Sequence, residues 1–329
     1  MAKNYISTVG MPHSVWMQKH GEYIGGSGAS AALGLNPWVT PYQYYKRIVH
    51  GEEEAQKELE SDAGRKSILQ FGLAIEPFIA DQYAEKTGFQ LRQDNKIRFH
   101  PDFDFLGANL DRAIHGNVAQ KTLGVWEGKS ASAMAFKNWN GEVPIHYKIQ
   151  VLHYMNITGW EWGVLCVFIP ERRAVLTFAV ERDDVLIKKI TARLVSFWKN
   201  NIEARVPPPP VSDRDLLELY PVADPLKTIE ATKDIARMAQ EFSEARVKRL
   251  KFEKIEKEMK EKMMVYMLDS SGMIYDDNLI ATCTSSEKNY FNLKGFREDK
   301  PEVAEEYMAT RNERRFTVKK SITDISFEE

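Results

Sequence analysis

The sequence predicts an α/β fold, in which a central mixed sheet is flanked by helices and followed by a helical arm and a small α+β tail. Strand-like apolar runs alternate with amphipathic helices through the first two hundred or so residues, and this order places helices outside a mixed sheet. The near-continuous apolar run Trp162–Ile169 is typical of a strand that is buried on both faces. Four consecutive prolines within Val206–Val211 then predict an extended spacer.

The segment Tyr23–Gly34 begins with glycines and then becomes a small-residue helix from about Ser27 or Gly28. Ser27 is suited to be the N-cap residue. A helix N-terminus with exposed N–H groups favours anions, including phosphate. The alternative is an ordinary capped helix that packs tightly through its alanines.

The next helix, Pro41–His50, carries Tyr42, Tyr44 and Tyr45, which we interpret as core residues rather than base-stacking platforms. A longer amphipathic helix is predicted over Leu69–Thr87. Its apolar stripe recurs at four-residue spacing, and Glu76 lies next to that stripe. The stripe consists of Phe71, Ile75, Ile79 and Tyr83.

A central hairpin is predicted from two runs, Leu106–Arg112 and Leu123–Lys129, with a turn at His115, Gly116 and Asn117. Residues two apart on a strand face the same side, so Glu127 and Lys129 point the same way. The hairpin can bring Asp111 beside them.

Two carboxylates and one ammonium would then converge on one point. Carboxylate oxygens are ligands that Mg²⁺ prefers, and a nearby lysine can orient or activate a water molecule. A Glu-x-Lys triplet taken alone is more typical of a solvated strand face with an ion pair, so its specificity depends on the residues around it.

A helix over Pro144–Gly159 follows, in which Gln150 and Tyr154 are four apart and share a face. The buried strand Trp162–Ile169 has Arg173–Val180 as its predicted neighbour, and Asp183–Ala204 is a further amphipathic helix.

The proline run separates the chain into three predicted parts: residues 1–205, a linker at 206–225, and a C-terminal region at 226–329. Leu226–Leu268 is predicted to be one long, densely charged helix that forms a helical hairpin or a coiled-coil arm. A hairpin over Ile274–Thr284, a helix over Glu302–Met308 and a final strand over Arg315–Lys319 complete the tail.

Composition limits the class of protein. The chain has 329 residues, of which 43% are hydrophobic and 28% charged, as is ordinary for a soluble protein. There is no signal-peptide pattern and no apolar run of membrane-spanning length, so we expect a cytoplasmic protein without a membrane partner. Cys166 and Cys283 lack metal-ligand spacing. A net charge of −2 does not indicate a general nucleic-acid binder, although a basic surface can be confined to one groove.

The pattern Asp111…Glu127-Gly128-Lys129 resembles the PD-(D/E)xK nuclease superfamily. The flanking motifs narrow this resemblance to the branch of phage lambda exonuclease and the YqaJ-type viral recombinase nucleases, over about Tyr23–Ile169. The sequence departs from many relatives at Leu110, where they have proline. The flanking motifs are Gly25-Gly26-Ser27, Gly72-x-x-x-Glu76-Pro77 and Gln150-x-x-x-Tyr154.

The resemblance implies a PD-(D/E)xK nuclease core and a residue-by-residue set of roles. Asp111, Glu127 and the carbonyl of Gly128 would bind metal, expected to be two Mg²⁺ ions with Mn²⁺ as a substitute. Lys129 would position or activate the attacking water, supported by Gln150 and Glu76.

In the family, the serine matching Ser27 serves a 5′-phosphate pocket. Here that pocket would include Gly26, Tyr154, Lys19 and His20. His20 stands where lambda exonuclease has an arginine, so we expect the pocket to depend more on Lys19 or to be weaker.

The implied activity is a 5′→3′ exonuclease that degrades one strand from double-stranded DNA ends and passes the 3′ single strand to a single-strand annealing protein. The setting would be phage-type recombination in a bacterial host cell. The lambda-type relatives close into rings, which implies a homotrimer. An endonuclease shares this core and remains an alternative, as does a non-catalytic DNA-binding or assembly module, although the intact Asp, Glu and Lys argue against the latter.

Overall fold

The computed structural model describes residues 4–51, 63–116, 122–310, 313–319 and 321–322, and the chain divides into two compact units, 1–219 and 220–329. The helices of the first unit are α1 His13–His20, α2 Gly26–Ala32, α3 Pro41–His50, α4 Ala63–Thr87, α5 Ala133–Lys137, α6 Ile145–Thr158, α7 Asp184–Phe197 and α8 Asp213–Leu219. Its strands are β1 Tyr5–Ser7, β2 Leu91–Arg92, β3 Lys96–Phe99, β4 Gly107–Ala108, β5 Arg112–Ile114, β6 Gly124–Ser130, β7 Trp162–Ile169 and β8 Ala174–Glu181.

A five-stranded sheet with the order β2-β5-β6-β7-β8 forms the centre of the first unit. Strands β6 and β7 are parallel and all other neighbours are antiparallel, so the sheet is mixed. A second sheet has the order β1-β3-β4. This architecture confirms the predicted α/β fold with a central mixed sheet.

The predicted extent of the first strand of the hairpin is wrong. Within the predicted run Leu106–Arg112, Gly107 and Ala108 pair with β3 in the second sheet. The strand that pairs with β6 is Arg112–Ile114, with Arg112 opposite Trp126. The run therefore passes from one sheet to the other, a change that apolar pattern alone does not reveal. The predicted turn residue Asn117 lies outside the described residues.

Strand β7 is buried on both faces, as its apolar run predicts. Val164 and Cys166 pack in a cluster with Ile79 of α4, whereas Leu165 and Val167 belong to a separate cluster on the other face. Alternation of side chains along the strand explains this division. The sheet therefore has a hydrophobic layer on each side.

The predicted helix with Glu76 is longer than expected, because it begins at Ala63 and continues through Pro77. Its apolar stripe is buried only in the second half: Ile79 and Tyr83 are in the core, whereas Phe71 is exposed. The tyrosines of α3 are core residues, as predicted: Tyr42, Tyr44 and Tyr45 are all buried.

The chain remains part of the first unit after the proline run. Asp215 in α8 is fully buried, and its carboxylate accepts hydrogen bonds from Thr40 Oγ1 at 2.8 Å and from the Val211 N–H at 3.2 Å. Lys46 and Glu218 form an ion pair of 2.6 Å. The boundary between the two units, at 219/220, thus lies inside the predicted linker 206–225. The helical part of that linker, α8, belongs to the first unit.

The second unit contains α9 Lys233–Met267, β9 Gly272–Tyr275, β10 Asn278–Thr282, α10 Leu293–Asp299 and α11 Pro301–Glu306. The long helix begins seven residues later than predicted, because Thr232 caps it through a hydrogen bond from the Ile235 N–H. The hairpin turns at Asp276 and Asp277, both with positive φ, as predicted from their residue types. The expected strand Arg315–Lys319 is wrong: the described residues 313–319 form none. None of the described helices is long and apolar enough to cross a membrane.

Candidate active site

Strand β6 positions the centre of the site. Glu127 and Lys129 alternate with the buried Trp126, and Gly128 lies between them. Asp111 immediately precedes β5, and its Oδ2 accepts a hydrogen bond from the Gly128 N–H at 3.0 Å. The antiparallel pairing of β5 with β6 therefore brings the two carboxylates together, as the hairpin interpretation predicts.

Glu127 is a buried carboxylate, 1% exposed, with one satisfied oxygen and one unsatisfied oxygen. Its Oε1 accepts hydrogen bonds from Lys129 Nζ at 2.5 Å and from Gln150 Nε2 at 2.6 Å. Its Oε2 is buried and has no hydrogen-bond partner in the described part of the chain. Burial, and then the nearby Asp111 carboxylate, raise the pKa of Glu127 to about 8. A buried carboxylate of this kind favours the approach of a positive charge.

Lys129 supplies part of that charge. Burial alone would lower its pKa, but the carboxylates of Glu127 and Asp111 outweigh burial and raise the pKa above its usual value. The ammonium therefore stays protonated at neutral pH. Its Nζ also lies 5.7 Å from the centroid of the Tyr147 ring.

Glu76 of α4 also lies beside this site. A Cβ added at Gly128 would lie 3.5 Å from Glu76 Cγ, so the glutamate stem crosses over that glycine. Burial and the Asp111 charge raise the pKa of Glu76. Its Oε1 forms an ion pair with Arg112 Nη2 at 3.2 Å, which holds the side chain beside the site.

A buried contact chain connects the start of α2 to Glu127. Gln150 Nε2, which donates to Glu127, is also 3.2 Å from Tyr154 Oη. The Tyr154 ring in turn lies against Gly26, where an added Cβ would be only 2.5 Å from the ring. Glycine is therefore required at position 26 to let the α2 backbone pack against the Tyr154 ring.

The remaining predicted phosphate-pocket residues form a looser group. The N-cap assignment of Ser27 is wrong: helix α2 begins at Gly26, the cap residue is Gly25, and no side chain caps the helix. Ser27 instead lies exposed in the first turn. A glycine at the N-cap costs little in stability, which explains why the helix needs no serine there.

The two predicted cations near Ser27 differ in position. Lys19 is paired with Glu22 at 2.8 Å on the surface. The His20 ring lies beside Gly25, 3.4 Å from where a Cβ would be, and against the Tyr23 ring at 5.4 Å. Burial lowers the pKa of His20, so the imidazole is neutral at neutral pH. Neither Lys19 nor His20 therefore gives the start of α2 a fixed positive charge comparable with that of Lys129.

Sequence reasoning missed two site residues. Arg112 directly follows Asp111 and holds Glu76. Tyr147 lies one helical turn before Gln150, on the same face of α6, and contacts Lys129. Helical spacing from Gln150 would have identified Tyr147, because residues three apart are neighbours on a helix.

The donor set fits a hard divalent cation. In the described residues, no three His, Cys, Asp or Glu side chains form a ready-made metal centre. Asp111 and Glu127 offer oxygen ligands, however. Glu127 Oε2 has no hydrogen-bond partner in the described part of the chain and is therefore available to coordinate a metal. Oxygen ligands of this kind suit Mg²⁺ or Mn²⁺ rather than a softer metal.

The mixed sheet carries Glu127 and Lys129 on β6, with Asp111 just before β5, so an α/β core brings these three side chains to one place. Residues 15–161 match the YqaJ-like viral recombinase domain. Uncharacterized protein YqaJ of Bacillus subtilis (strain 168) is 27% identical over 317 residues, which cover 94% of this chain and 95% of that protein. The chain is thus similar to the YqaJ-like viral recombinase domain over residues 15–161, which confirms the predicted resemblance.

Two solved structures are similar to part of this chain. The crystal structure of LHK-Exo with dAMP, an alkaline exonuclease from Laribacter hongkongensis, is 19% identical, covers 59% of this chain and 94% of its own, and has a TM-score of 0.48. A phage related exonuclease from Haemophilus somnus 129PT is 16% identical, covers 56% of this chain and 95% of its own, and has a TM-score of 0.39.

Proposed function

We propose that this protein is a divalent-metal-dependent deoxyribonuclease that acts as an exonuclease on double-stranded DNA ends. The observation that carries the proposal is the buried, unsatisfied Oε2 of Glu127, set beside a second carboxylate and the protonated Lys129. A buried carboxylate oxygen without a hydrogen-bond partner costs stability unless a cation meets it, so its presence favours a functional explanation. The viral recombinase domain supports DNA as the substrate.

The family resemblance and the contacts in the site support a role for each residue. Asp111, Glu127 and the carbonyl of Gly128 would hold the metal, which when bound supplies Lewis-acid stabilisation of the scissile phosphate and lowers the pKa of an attacking water. Lys129 holds a positive charge next to the metal ligands and can donate a hydrogen bond to that water or to a phosphate oxygen. Gln150 fixes the orientation of the Glu127 carboxylate through its 2.6 Å hydrogen bond.

Glu76 is a positioning residue in this proposal. Its ion pair with Arg112 keeps it beside Asp111 and Gly128. The Glu76 side chain is less buried than that of Glu127. Burial and the Asp111 charge raise the pKa of Glu76, and a cation bound beside it would lower that pKa.

The finer features of the proposal are supported by the family resemblance. They are Mg²⁺ as the usual metal with two ions per site, 5′→3′ polarity, a homotrimeric ring, and delivery of the 3′ strand to a single-strand annealing protein during phage-type recombination in the host cytoplasm. A closed ring retains DNA by topology, and a chain with a net charge of −2 would benefit from that.

Digestion of duplex DNA labelled at one end tests the activity. The unaltered protein should release mononucleotides from linear duplex with Mg²⁺ or Mn²⁺ and leave covalently closed circular duplex intact. Cutting of the circle would instead support an endonuclease. No cleavage of either substrate with either metal would refute the nuclease proposal and support a DNA-binding or assembly module.

A further inference from the structure

An exposed tryptophan lies beside the candidate active site without a role in the chemistry above. Trp38, in the loop between α2 and α3, is 61% exposed, whereas none of the other six tryptophans of the chain is exposed. Exposing an indole ring forfeits the hydrophobic stabilisation that its burial would give. An exposed ring in a well-ordered place therefore suggests a binding role.

Trp38 belongs to an aromatic group that reaches Lys129. Its ring packs edge-on against His146 at 5.0 Å between centroids and lies 6.3 Å from the ring of Tyr147. Tyr147 in turn is the ring that Lys129 Nζ approaches. Two ring contacts thus link the exposed indole to the ammonium beside Glu127.

The loop that carries Trp38 is held rigidly. Asn36 Oδ1 accepts hydrogen bonds from the backbone N–H groups of Trp38 and Val39, at 2.9 and 3.0 Å. Asn36 Nδ2 donates to Ser30 Oγ at 3.1 Å, and the Ser30 hydroxyl donates to the Ser27 carbonyl at 3.0 Å.

The end of this loop is fixed as well. Thr40 caps α3 in a reciprocal capping box with Gln43 and donates to the buried Asp215. A side chain presented on so constrained a backbone loses little conformational entropy when it binds a ligand.

We propose that Trp38 is a stacking platform for a nucleobase of the DNA strand whose phosphate lies at Glu127 and Lys129. This inference rests on the proposed nuclease function and adds a substrate contact to it. A base is joined to its phosphate through one sugar, so a strand anchored at Lys129 carries its neighbouring bases past the aromatic group. Every base has a π-face, so stacking tolerates any sequence. His146 and Tyr147 contact the indole ring, which remains 61% exposed and so accessible to a base.

Binding without cleavage tests the contact. The probe is a duplex with a recessed, 5′-phosphorylated end and a fluorophore at the far end, titrated in EDTA and followed by anisotropy. Trp38→Ala should weaken binding roughly tenfold, in the range measured when a stacked aromatic is removed, and Trp38→Phe should retain most of the affinity. Val185→Ala is the matched control, because Val185 is similarly exposed, at 67%, on the outer helix α7.

A set of duplexes with one abasic nucleotide at each of the first few positions locates the base. At one position the unaltered protein should lose the same factor as Trp38→Ala, and the variant should lose nothing further. The inference would be overturned if, at every position, the affinity loss from the abasic nucleotide and the loss from Trp38→Ala multiplied. It would also be overturned if Trp38→Ala bound the probe as tightly as Val185→Ala. Circular dichroism monitors folding, and Trp38→Leu keeps an apolar side chain without a π-face should the alanine variant fail to fold.

The two proposals fail separately. Absence of Mg²⁺-dependent cleavage by the unaltered protein would refute the nuclease while the binding cycle remains readable. Normal cleavage without coupling between Trp38 and any abasic position would refute the stacking platform alone.

Discussion

The acidic cluster on β6 and the start of α2 are both parts of one predicted DNA site, but they are built differently. The cluster is made of side chains that converge in the interior, and it includes a buried carboxylate with an unsatisfied oxygen. The start of α2 offers backbone and an exposed serine, with Lys19 paired to Glu22 and His20 kept neutral by burial. The two are joined through Gly26, Tyr154 and Gln150.

The difference shows where electrostatic free energy is concentrated. In the cluster, charges are shielded from water, so each charge strongly affects its neighbours and removal of one leaves another uncompensated. At the start of α2, Ser27 and the Lys19–Glu22 pair are exposed to water, so each contributes modestly. Substitutions in the cluster should therefore have large effects, and those at Ser27 small ones.

The largest effect is expected for the two carboxylates. Glu127→Gln and Asp111→Asn each remove a negative ligand, and each should lower the cleavage rate by about a hundredfold or more and weaken metal binding. Single-turnover digestion and Mg²⁺ titration measure the two effects. Glu181→Gln, on the edge strand β8, is the control and should behave like the unaltered protein. Metal binding undiminished in both cluster variants would contradict the ligand assignment.

Lys129→Ala separates chemistry from metal binding. We expect at least about a hundredfold loss of cleavage, because the charge next to the phosphate is gone, while Mg²⁺ still binds to the carboxylates. The same two assays read the outcome. Near-normal cleavage by this variant would remove lysine from the proposed mechanism.

Gly26→Ala tests the connection between the two regions. An added Cβ would collide with the Tyr154 ring, and overpacking of this kind costs about 1–3 kcal/mol of stability. We expect a lower Tm, with reduced cleavage as Tyr154 and Gln150 shift.

The matched control for this change is Gly72→Ala in helix α4, where nothing lies within 4 Å of the added atom. That change should raise stability by about 0.5–1 kcal/mol. Equal effects of the two substitutions on thermal unfolding would contradict the predicted contact.

The pH dependence of metal binding tests the buried carboxylate. Its folded-state pKa, about 8, is above that of an unfolded glutamate, so ionisation of Glu127 costs folding free energy from about pH 4.3 up to its folded pKa. A metal needs the ionised form and displaces a proton below pH 8. Apparent Mg²⁺ affinity should therefore rise by up to about tenfold per pH unit between pH 6.5 and 7.5 and level off above pH 8.

Thermal shifts across a Mg²⁺ series measure this pH dependence. Glu127→Gln should abolish the pH dependence in this range, and a flat profile in the unaltered protein would show that no proton is displaced from Glu127.

The smallest effect is expected at the start of α2. Digestion should be faster for 5′-phosphorylated than for 5′-hydroxyl duplex ends, and Ser27→Ala should reduce that preference a few-fold, as for one exposed hydrogen bond. Parallel digestion of the two end types gives the ratio. Equal rates on both ends in the unaltered protein would exclude a 5′-phosphate pocket here.

The sequence by itself determined the sheet and the identity of the cluster. Alternation along β6 places Glu127 and Lys129 on one side, and the uninterrupted apolar run predicts a doubly buried β7, because both patterns depend only on the geometry of a strand. Four-residue spacing likewise places Gln150 and Tyr154 on one face of α6.

Only the tertiary structure decided which charges are compensated. The ion pair of Arg112 with Glu76 and the burial of His20 depend on how separate elements pack, which no local period encodes. The passage of residues 106–112 between two sheets has the same cause. Trp38 is the clearest case. Its residue type gives no sign that the ring is exposed, and only the structure shows that the loop holds its backbone beside the site and leaves the ring exposed.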